Sequence, residues 1–263
     1  MIEALAIILA RAGSKGLPGK NRAEVAGRPC ALWTIDAALE AETVARIGLS
    51  SDDAELLDLA RRTGVEAWTR PASLASDTAT IDAAARNALR SAERGARLPD
   101  GHPIVLLYAN VPVRPPGLID RAVRLLVETG CDSVQSFAAV GKLHPWWMVR
   151  VDDEGRIAPW EGAELFHGVY RRQELPPAHM PDGGVIALTR RALTLQGRAG
   201  QASEPADGEP HPPGSSEAPG PHAFLGADRR AIITAPGDVI DIDAPIDLLV
   251  ADAALRQRAG VPL

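Results

Sequence analysis

Eleven residues near the start of the chain concentrate groups suited to phosphate. The stretch Arg11-Ala12-Gly13-Ser14-Lys15-Gly16-Leu17-Pro18-Gly19-Lys20-Asn21 holds three glycines and three cations and follows an apolar run over 4–10. Glycines let a backbone approach phosphate closely and aim its N–H groups there. Arg11, Lys15 and Lys20 can neutralise a triphosphate and the charge that develops during its transfer. Two familiar phosphate loops fail on spacing. A P-loop has four residues between its first glycine and its Gly-Lys pair, then Ser or Thr; here five residues separate Gly13 from Gly19, and Asn21 follows Lys20. A dinucleotide loop needs Gly-x-Gly-x-x-Gly, and Gly13-Ser14-Lys15-Gly16 has the wrong first gap. Composition alone leaves a solvated basic turn as the alternative.

The elements that must carry this loop alternate in type. Strands are expected at 4–10, 46–50, 65–68, 104–109 and 133–137, and helices at 33–41, 53–63, 80–94 and 118–129. The 53–63 helix has acids in its first turn, Arg61 and Arg62 in its last and Gly64 as its stop, the order its dipole favours. Such alternation predicts βαβ units and a mostly parallel sheet, at whose carboxyl edge ligands bind. Later strands are expected at 185–189 and 231–234, and a last helix at 245–258. Residues 140–180 break the rhythm and hold His144, Trp146, Trp147, Trp160, Phe166 and Tyr170. They read either as an arm for subunit contact or acceptor binding, or as an ordinary packed hairpin. Residues 197–221, rich in Pro, Gly, Ser and Glu, read as a disordered loop without chemistry.

With 263 residues, 46% hydrophobic and 4% aromatic, the chain can form one α/β domain, 1–263, around an aliphatic core. A net charge of −6 gives no field for nucleic acid, so an anionic ligand must meet a local cluster of cations. The apolar start is too short to span a membrane and lacks the basic flank of a signal peptide. Cys30 and Cys131, far apart and read as free thiols, fit a cytoplasmic chain.

The glycine-rich loop resembles the signature Arg-x-Gly-Ser-Lys-Gly-x-Pro-x-Lys-Asn of the CMP-sialic acid synthetase (acylneuraminate cytidylyltransferase) family. The resemblance continues at Ser51-Asp52-Asp53 and at Arg70-Pro71-Ala72-Ser73-Leu74-Ala75-Ser76-Asp77-Thr78-Ala79. It reappears at Arg172-Gln173-Glu174-Leu175-Pro176 and closes at Asp241-Ile242-Asp243. It implies a three-layer α/β/α fold with a mostly parallel sheet, of the nucleotide-diphospho-sugar transferase type. A dimerisation arm at 140–180 would reach into the active site of a second copy.

The implied activity is nucleotidyl transfer. CMP moves from CTP to a hydroxyl of a small acidic acceptor, such as a sialic-acid-like 2-keto acid, with Mg2+ as cofactor and in a homodimer. By resemblance, Arg11, Lys20 and Asn21 contact CTP within the cradle of Gly13, Ser14, Lys15 and Gly16. Arg70 approaches the nucleotide, and residues 76–80, with Asp77 and Thr80, line its ribose and base side. Asp241 and Asp243 hold Mg2+: alternate residues of an extended segment face one way, and carboxylates suit this hard cation. Asp243 as a cap for the helix at Pro245 is the other reading. Arg171 and Arg172 match acceptor-site arginines, whose forks suit a carboxylate; a solvated surface pair is the alternative. In the implied reaction the acceptor oxygen attacks the α-phosphorus in line and pyrophosphate leaves. Arg11, Lys20, Asp243 and Arg172 are the expected catalytic residues.

The chain departs from the family around the acceptor. The family's Leu-Gln-Pro-Thr-Ser-Pro-Leu-Arg is Leu107-Tyr108-Ala109-Asn110-Val111-Pro112-Val113-Arg114, and its Pro-Asn-Gly is Pro181-Asp182-Gly183. Tyr108, Asn110 and Asp182 are therefore expected at the acceptor with Arg171 and Arg172; His144, which precedes Pro145 as in some family members, reads either as a neighbour of the acceptor or, as a lone histidine more often is, as structural. An octulosonate or a phosphonate remains open as acceptor. A nucleotide-binding protein without catalysis is the alternative from another class, and the intact Arg11, Lys20, Asp241 and Asp243 argue against it.

Overall fold

The computed structural model describes residues 2–14, 16–196, 220 and 222–260. Lys15, and the 197–221 segment apart from residue 220, lie outside the described residues. In chain order the elements begin with β1 (Ala4–Leu9), β2 (Glu24–Val25), β3 (Arg28–Pro29), α1 (Cys30–Leu39), β4 (Val44–Ser51), α2 (Ala54–Arg62), β5 (Glu66–Thr69) and α3 (Ile81–Ala92). They continue with β6 (Pro103–Tyr108), α4 (Leu118–Thr129), β7 (Ser133–Ala139), β8 (Val149–Val151), β9 (Ile157–Pro159), β10 (His179–Thr189), α5 (Arg190–Leu193), β11 (Arg229–Thr234) and α6 (Pro245–Arg258).

Seven strands form one sheet in the order β11-β7-β10-β6-β1-β4-β5. All of its pairings are parallel except the two made by β10. Every residue of β1 is buried, so the sheet must be covered on both faces. Ala4, Ala6 and Ile8 face one layer, with Ile35 of α1, Leu56 of α2 and Val123 of α4. Leu5, Ile7 and Leu9 face the other, with Ala85, Ala88 and Leu89 of α3 and Leu193 of α5. The result is a three-layer α/β/α fold. No helix among the described residues is long and apolar enough to cross a membrane.

Local signals explain the helix starts. Asp53 caps α2, its Oδ1 accepting from the N–H of Glu55 at 2.9 Å, and Thr80 caps α3 through the N–H of Ala83 at 3.3 Å. Helix α1 starts three residues before the expected position 33, directly after Pro29. The β2–β3 hairpin was not expected: its turn uses Ala26 and Gly27, both at positive φ (50° and 79°), without the usual Asn-Gly or Asp-Gly signal.

Strand β10 is longer than the expected 185–189. It runs from His179, paired with Ala139, and is interrupted by a bulge between Pro181 and Ile186. Between β7 and β10 the chain makes the β8–β9 hairpin and short 3-10 turns. In this excursion Trp146 stacks on His167 at 4.6 Å, and Trp147 Nε1 donates to the carbonyl of Val169 at 3.1 Å. Leu143, Val151, Trp160 and Tyr170 stay exposed, Tyr170 at 92%.

Candidate functional site

The chain leaves β1 at its carboxyl end and turns through the glycine-rich loop. Asn21 ties the loop's two ends: its Nδ2 donates to the carbonyl of Arg11 at 2.9 Å, and its own carbonyl accepts from the N–H of Ala31 at 2.9 Å. Asp52, at the end of β4, takes the N–H of Ala12 at 2.8 Å. The glycines differ in what they do. A Cβ on Gly16 would sit 2.3 Å from the backbone oxygen of Asp243, whereas one on Gly13 would meet nothing within 4 Å. Gly16 is thus needed for a close approach to Asp243, and Gly13 leaves open space above the loop.

The loop's cations already have partners. Arg11 Nη1 lies 2.9 Å from Asp77 Oδ1 and 3.4 Å from the carbonyl of Ser76. Lys20 Nζ lies 2.6 Å from Asp243 Oδ1; Lys20 is only 14% exposed, whereas Asp243 is 68% exposed. Arg70 is buried behind the loop and donates to the Ser50 hydroxyl at 3.2 Å and the Ser50 carbonyl at 2.8 Å. Burial lowers its guanidinium to about 10, partly opposed by Asp52 and reinforced by Arg11. Asn21 Oδ1 is buried without a hydrogen-bond partner among the described residues, an acceptor that calls for a donor.

Asp241 and Asp243 flank Ile242, which is fully buried with Val25, Cys30, Val113 and Leu255. Asp243 does not cap α6. The carboxylate of Asp247 takes the N–H groups of Asp243 at 2.9 Å and Ala244 at 2.7 Å, which leaves Asp243 free for Lys20. The carboxyl of Asp241 is raised above the usual range by desolvation first, then by Asp243 and Asp247; a backbone hydrogen bond and Lys20 oppose this. Such crowding of carboxylates is relieved by a cation. Among the described residues no three His, Cys, Asp or Glu converge as metal ligands. Two carboxylates beside a phosphate loop suit Mg2+, which keeps waters and takes substrate phosphates as its remaining ligands.

The structure thus brings Arg11, Gly13, Ser14, Gly16, Lys20, Asn21, Arg70, Asp77, Asp241 and Asp243 to one edge of the sheet. Other expected site residues have different duties. Thr80 spends its hydroxyl on the cap of α3. Asn110, expected at the acceptor, points its Nδ2 at the carbonyl of Ile242 at 3.2 Å. Asp182 sits in the β10 bulge, bonded to the hydroxyls of Ser136 and Thr234 and to the N–H of Gly184 at 2.9 Å. Its oxygens are engaged within the sheet, with partners other than an acceptor. His144 takes the structural place open to a lone histidine: it is 3% exposed, its Nε2 lies 3.1 Å from the carbonyl of Pro176, and its Nδ1 accepts from the N–H of Trp146 at 3.1 Å.

Tyr108 ends β6 on the α3 side and its phenol has no hydrogen-bond partner among the described residues; burial pushes that phenol up to about 12. Arg171 and Arg172 are exposed on the excursion. Arg171 lies 4.0 Å from Glu174, and neither contacts another of these site residues. Sequence reasoning gave no role to Asp52, Arg114 or Asp247. An acid four residues after Asp243 and two after Pro245, in the first turn of a helix, was the available signal for Asp247.

A sequence profile described as cytidylyltransferase matches residues 5–144. The chain is 32% identical to an N-acylneuraminate cytidylyltransferase of Streptococcus agalactiae over 70% of its own length and 43% of the relative's, so it spans less than half of that protein. It is also 32% identical to a CMP-N,N'-diacetyllegionaminic acid synthase of Legionella pneumophila, over 72% of this chain and 79% of the relative. In fold it is similar to a CMP:2-keto-3-deoxy-manno-octonic acid synthetase solved with CTP, with a TM-score of 0.64 at 17% identity, covering 98% of this chain and 100% of that one.

Proposed function

The chain belongs to the cytidylyltransferase family, in its CMP-sialic acid synthetase-like branch, and from that premise we propose that it transfers CMP from CTP to a hydroxyl of an acidic sugar, with Mg2+ and with release of pyrophosphate. The observation that carries this reading is the meeting of the phosphate loop with the carboxylate pair, at Lys20–Asp243 (2.6 Å) and at Gly16 against the Asp243 backbone. A triphosphate arriving at the loop replaces Asp77 and Asp243 as partners of Arg11 and Lys20. Both cations then carry the charge of the departing pyrophosphate. Asp243, released from Lys20, and Asp241 would hold Mg2+. That ion, when bound, would supply positive charge to the phosphates of the nucleotide. The unpartnered Oδ1 of Asn21 accepts from a nucleotide hydroxyl or amine, and Arg70 stiffens the strand ends behind it.

The acceptor in this reading is a sialic-acid-like 2-keto acid, as the names of the Streptococcus and Legionella relatives suggest. Its carboxylate meets Arg171 and Arg172, and Tyr108 forms a wall at the end of β6. Those arginines stand on an exposed excursion with uncovered Leu143, Val151, Trp160 and Tyr170, which favours a homodimer in which one copy's arm serves the other's site. The test is pyrophosphate release from CTP and Mg2+ with a panel of sialic, legionaminic, pseudaminic and octulosonic acids. Release with one acceptor, abolished by EDTA, is the expected result. No release from any of them by folded protein overturns the reading.

A further inference from the structure

The carboxylate pair has no ladder of its own. Residues 241–244 lie in neither strand nor helix, and the path to them from Ile240 is irregular. The turn that follows β6 supplies what a strand would. The N–H of Ile240 donates to the carbonyl of Val113 at 3.2 Å, and that of Ile242 to the carbonyl of Asn110 at 2.8 Å. The side chain of Asn110 closes the second half of this clamp by donating from Nδ2 to the carbonyl of Ile242 at 3.2 Å. Both backbone groups of the residue between Asp241 and Asp243 are therefore held by Asn110.

The turn is held in its own right by a buried cation. Arg114 is 7% exposed and donates to the carbonyl of Gly184 at 2.7 Å, the Thr34 hydroxyl at 2.8 Å, the carbonyl of Tyr108 at 2.9 Å and the carbonyl of Val111. All four acceptors are neutral. The nearest compensation by a carboxylate runs through Gly184, whose N–H donates to Asp182 Oδ1 at 2.9 Å. Burial pulls the guanidinium down to about 9, against the raising influence of Cys30 and Asp182. A buried charge without a direct counter-ion is a poor device for stability alone, because well-packed apolar residues commonly do as well. Its rigid fork of donors fixes three backbone carbonyls in one geometry.

We propose that Asn110, braced by Arg114, is a positioning residue that sets the spacing and direction of Asp241 and Asp243. The inference rests on the reading of those two aspartates as Mg2+ ligands. It makes Asn110 act through Ile242, not on the acceptor. Asn110→Ala removes the side-chain half of the clamp and leaves the backbone half, so the protein folds. Arg114→Lys keeps the charge and loses the fork.

The measurement is CTP affinity by calorimetry, once in EDTA and once with Mg2+, beside thermal unfolding, for wild type, N110A, R114K and D243N. The ratio of the two affinities reports how well the carboxylates engage the metal–nucleotide complex. N110A should keep its affinity in EDTA within about twofold and lose the Mg2+-dependent gain by about tenfold, the scale for residues that orient metal ligands. R114K should lose the same gain together with some thermal stability. A purely structural role lowers the melting temperature and both affinities together, with the ratio unchanged, and overturns the proposal. A wild-type ratio in N110A where D243N has lost it overturns the proposal and leaves the metal reading standing. A wild-type ratio in D243N overturns the metal reading, and the positioning role falls with it.

Discussion

Gly16→Ala is the sharpest probe of the meeting between loop and carboxylates. The added Cβ would lie 2.3 Å from the backbone oxygen of Asp243, a group that cannot rotate away as a side-chain tip can. Close C···O contacts begin at about 3.3 Å, so the loop and the 241–243 segment must part by about 1 Å. Gly16 is exposed and its loop is irregular, so the parting is taken up by loop movement and not by the core. Overpacking costs about 1–3 kcal/mol where nothing can give, and stability here should fall by less. Catalysis should suffer more, since a 1 Å misplacement can cost about a hundredfold in rate, or about 2.7 kcal/mol in the barrier. The assay is steady-state pyrophosphate release beside a thermal melt. A G16A protein with kcat/KM for CTP within a few fold of wild type would show that the contact sets nothing. One that fails to fold would place the contact in the stability of the core.

Other expectations follow from the same geometry. Asp243→Asn should nearly abolish pyrophosphate release while circular dichroism stays native, because Asp247 and not Asp243 caps α6; normal turnover would remove Asp243 from the mechanism. Tyr108→Phe should leave the melting temperature nearly unchanged, since the phenol has no partner among the described residues, and should raise the KM of whichever substrate it touches; unchanged KM values for CTP and acceptor would make Tyr108 a packing residue only. Asp132 is held below the usual carboxylate range: desolvation opposes this, but the N–H groups of Ala227 and Asp228 and the guanidinium of Arg191 outweigh it. Its contribution is therefore fully present above about pH 4, the unfolded value, and is lost as pH falls through the lower folded value. Asp132→Asn should be less stable than wild type in denaturant melts at pH 7, with the gap closing in acid; a gap independent of pH would refute the assignment.

What was legible in the chain followed from local rules. The run over 4–10 had to be a strand buried on both faces, because no polar residue interrupts it and the stretch is too short for most helices. The 118–129 helix was expected with its observed ends, since Gly130 takes the left-handed position after it. The glycine-rich loop was legible because close approach to phosphate demands small residues and cations together. Strand β10 was seen only in its inner half: its outer half is exposed and depends on pairing with β7, and no local period reports a bulge of the kind that Asp182 holds.

Three residues expected at the acceptor share one use. Asn110, Asp182 and His144 are polar side chains near the acceptor side, and a polar residue in a loop invites a ligand. Each instead satisfies a backbone group that irregular chain leaves open: the carbonyl of Ile242, the N–H of Gly184, and the carbonyl of Pro176 with the N–H of Trp146. Sequence spacing cannot tell the two uses apart, because both need a short polar side chain at a turn; the difference lies in which distant strand passes beside it. The cations show the converse. Arg11 and Lys20 were read as phosphate ligands, and they are found paired with Asp77 and Asp243. The two readings agree once charge is considered. A cleft that must accept a triphosphate needs cations that stay folded in its absence, and carboxylates at its rim provide that. Arg11–Asp77 is half-exposed on both sides, and exposed pairs of this kind are worth little, about 0–1 kcal/mol, so a nucleotide would displace it at small cost. On the proposed function, the weakness of Arg11–Asp77 and the exposure of Asp243 are what a site that opens for each turnover would require.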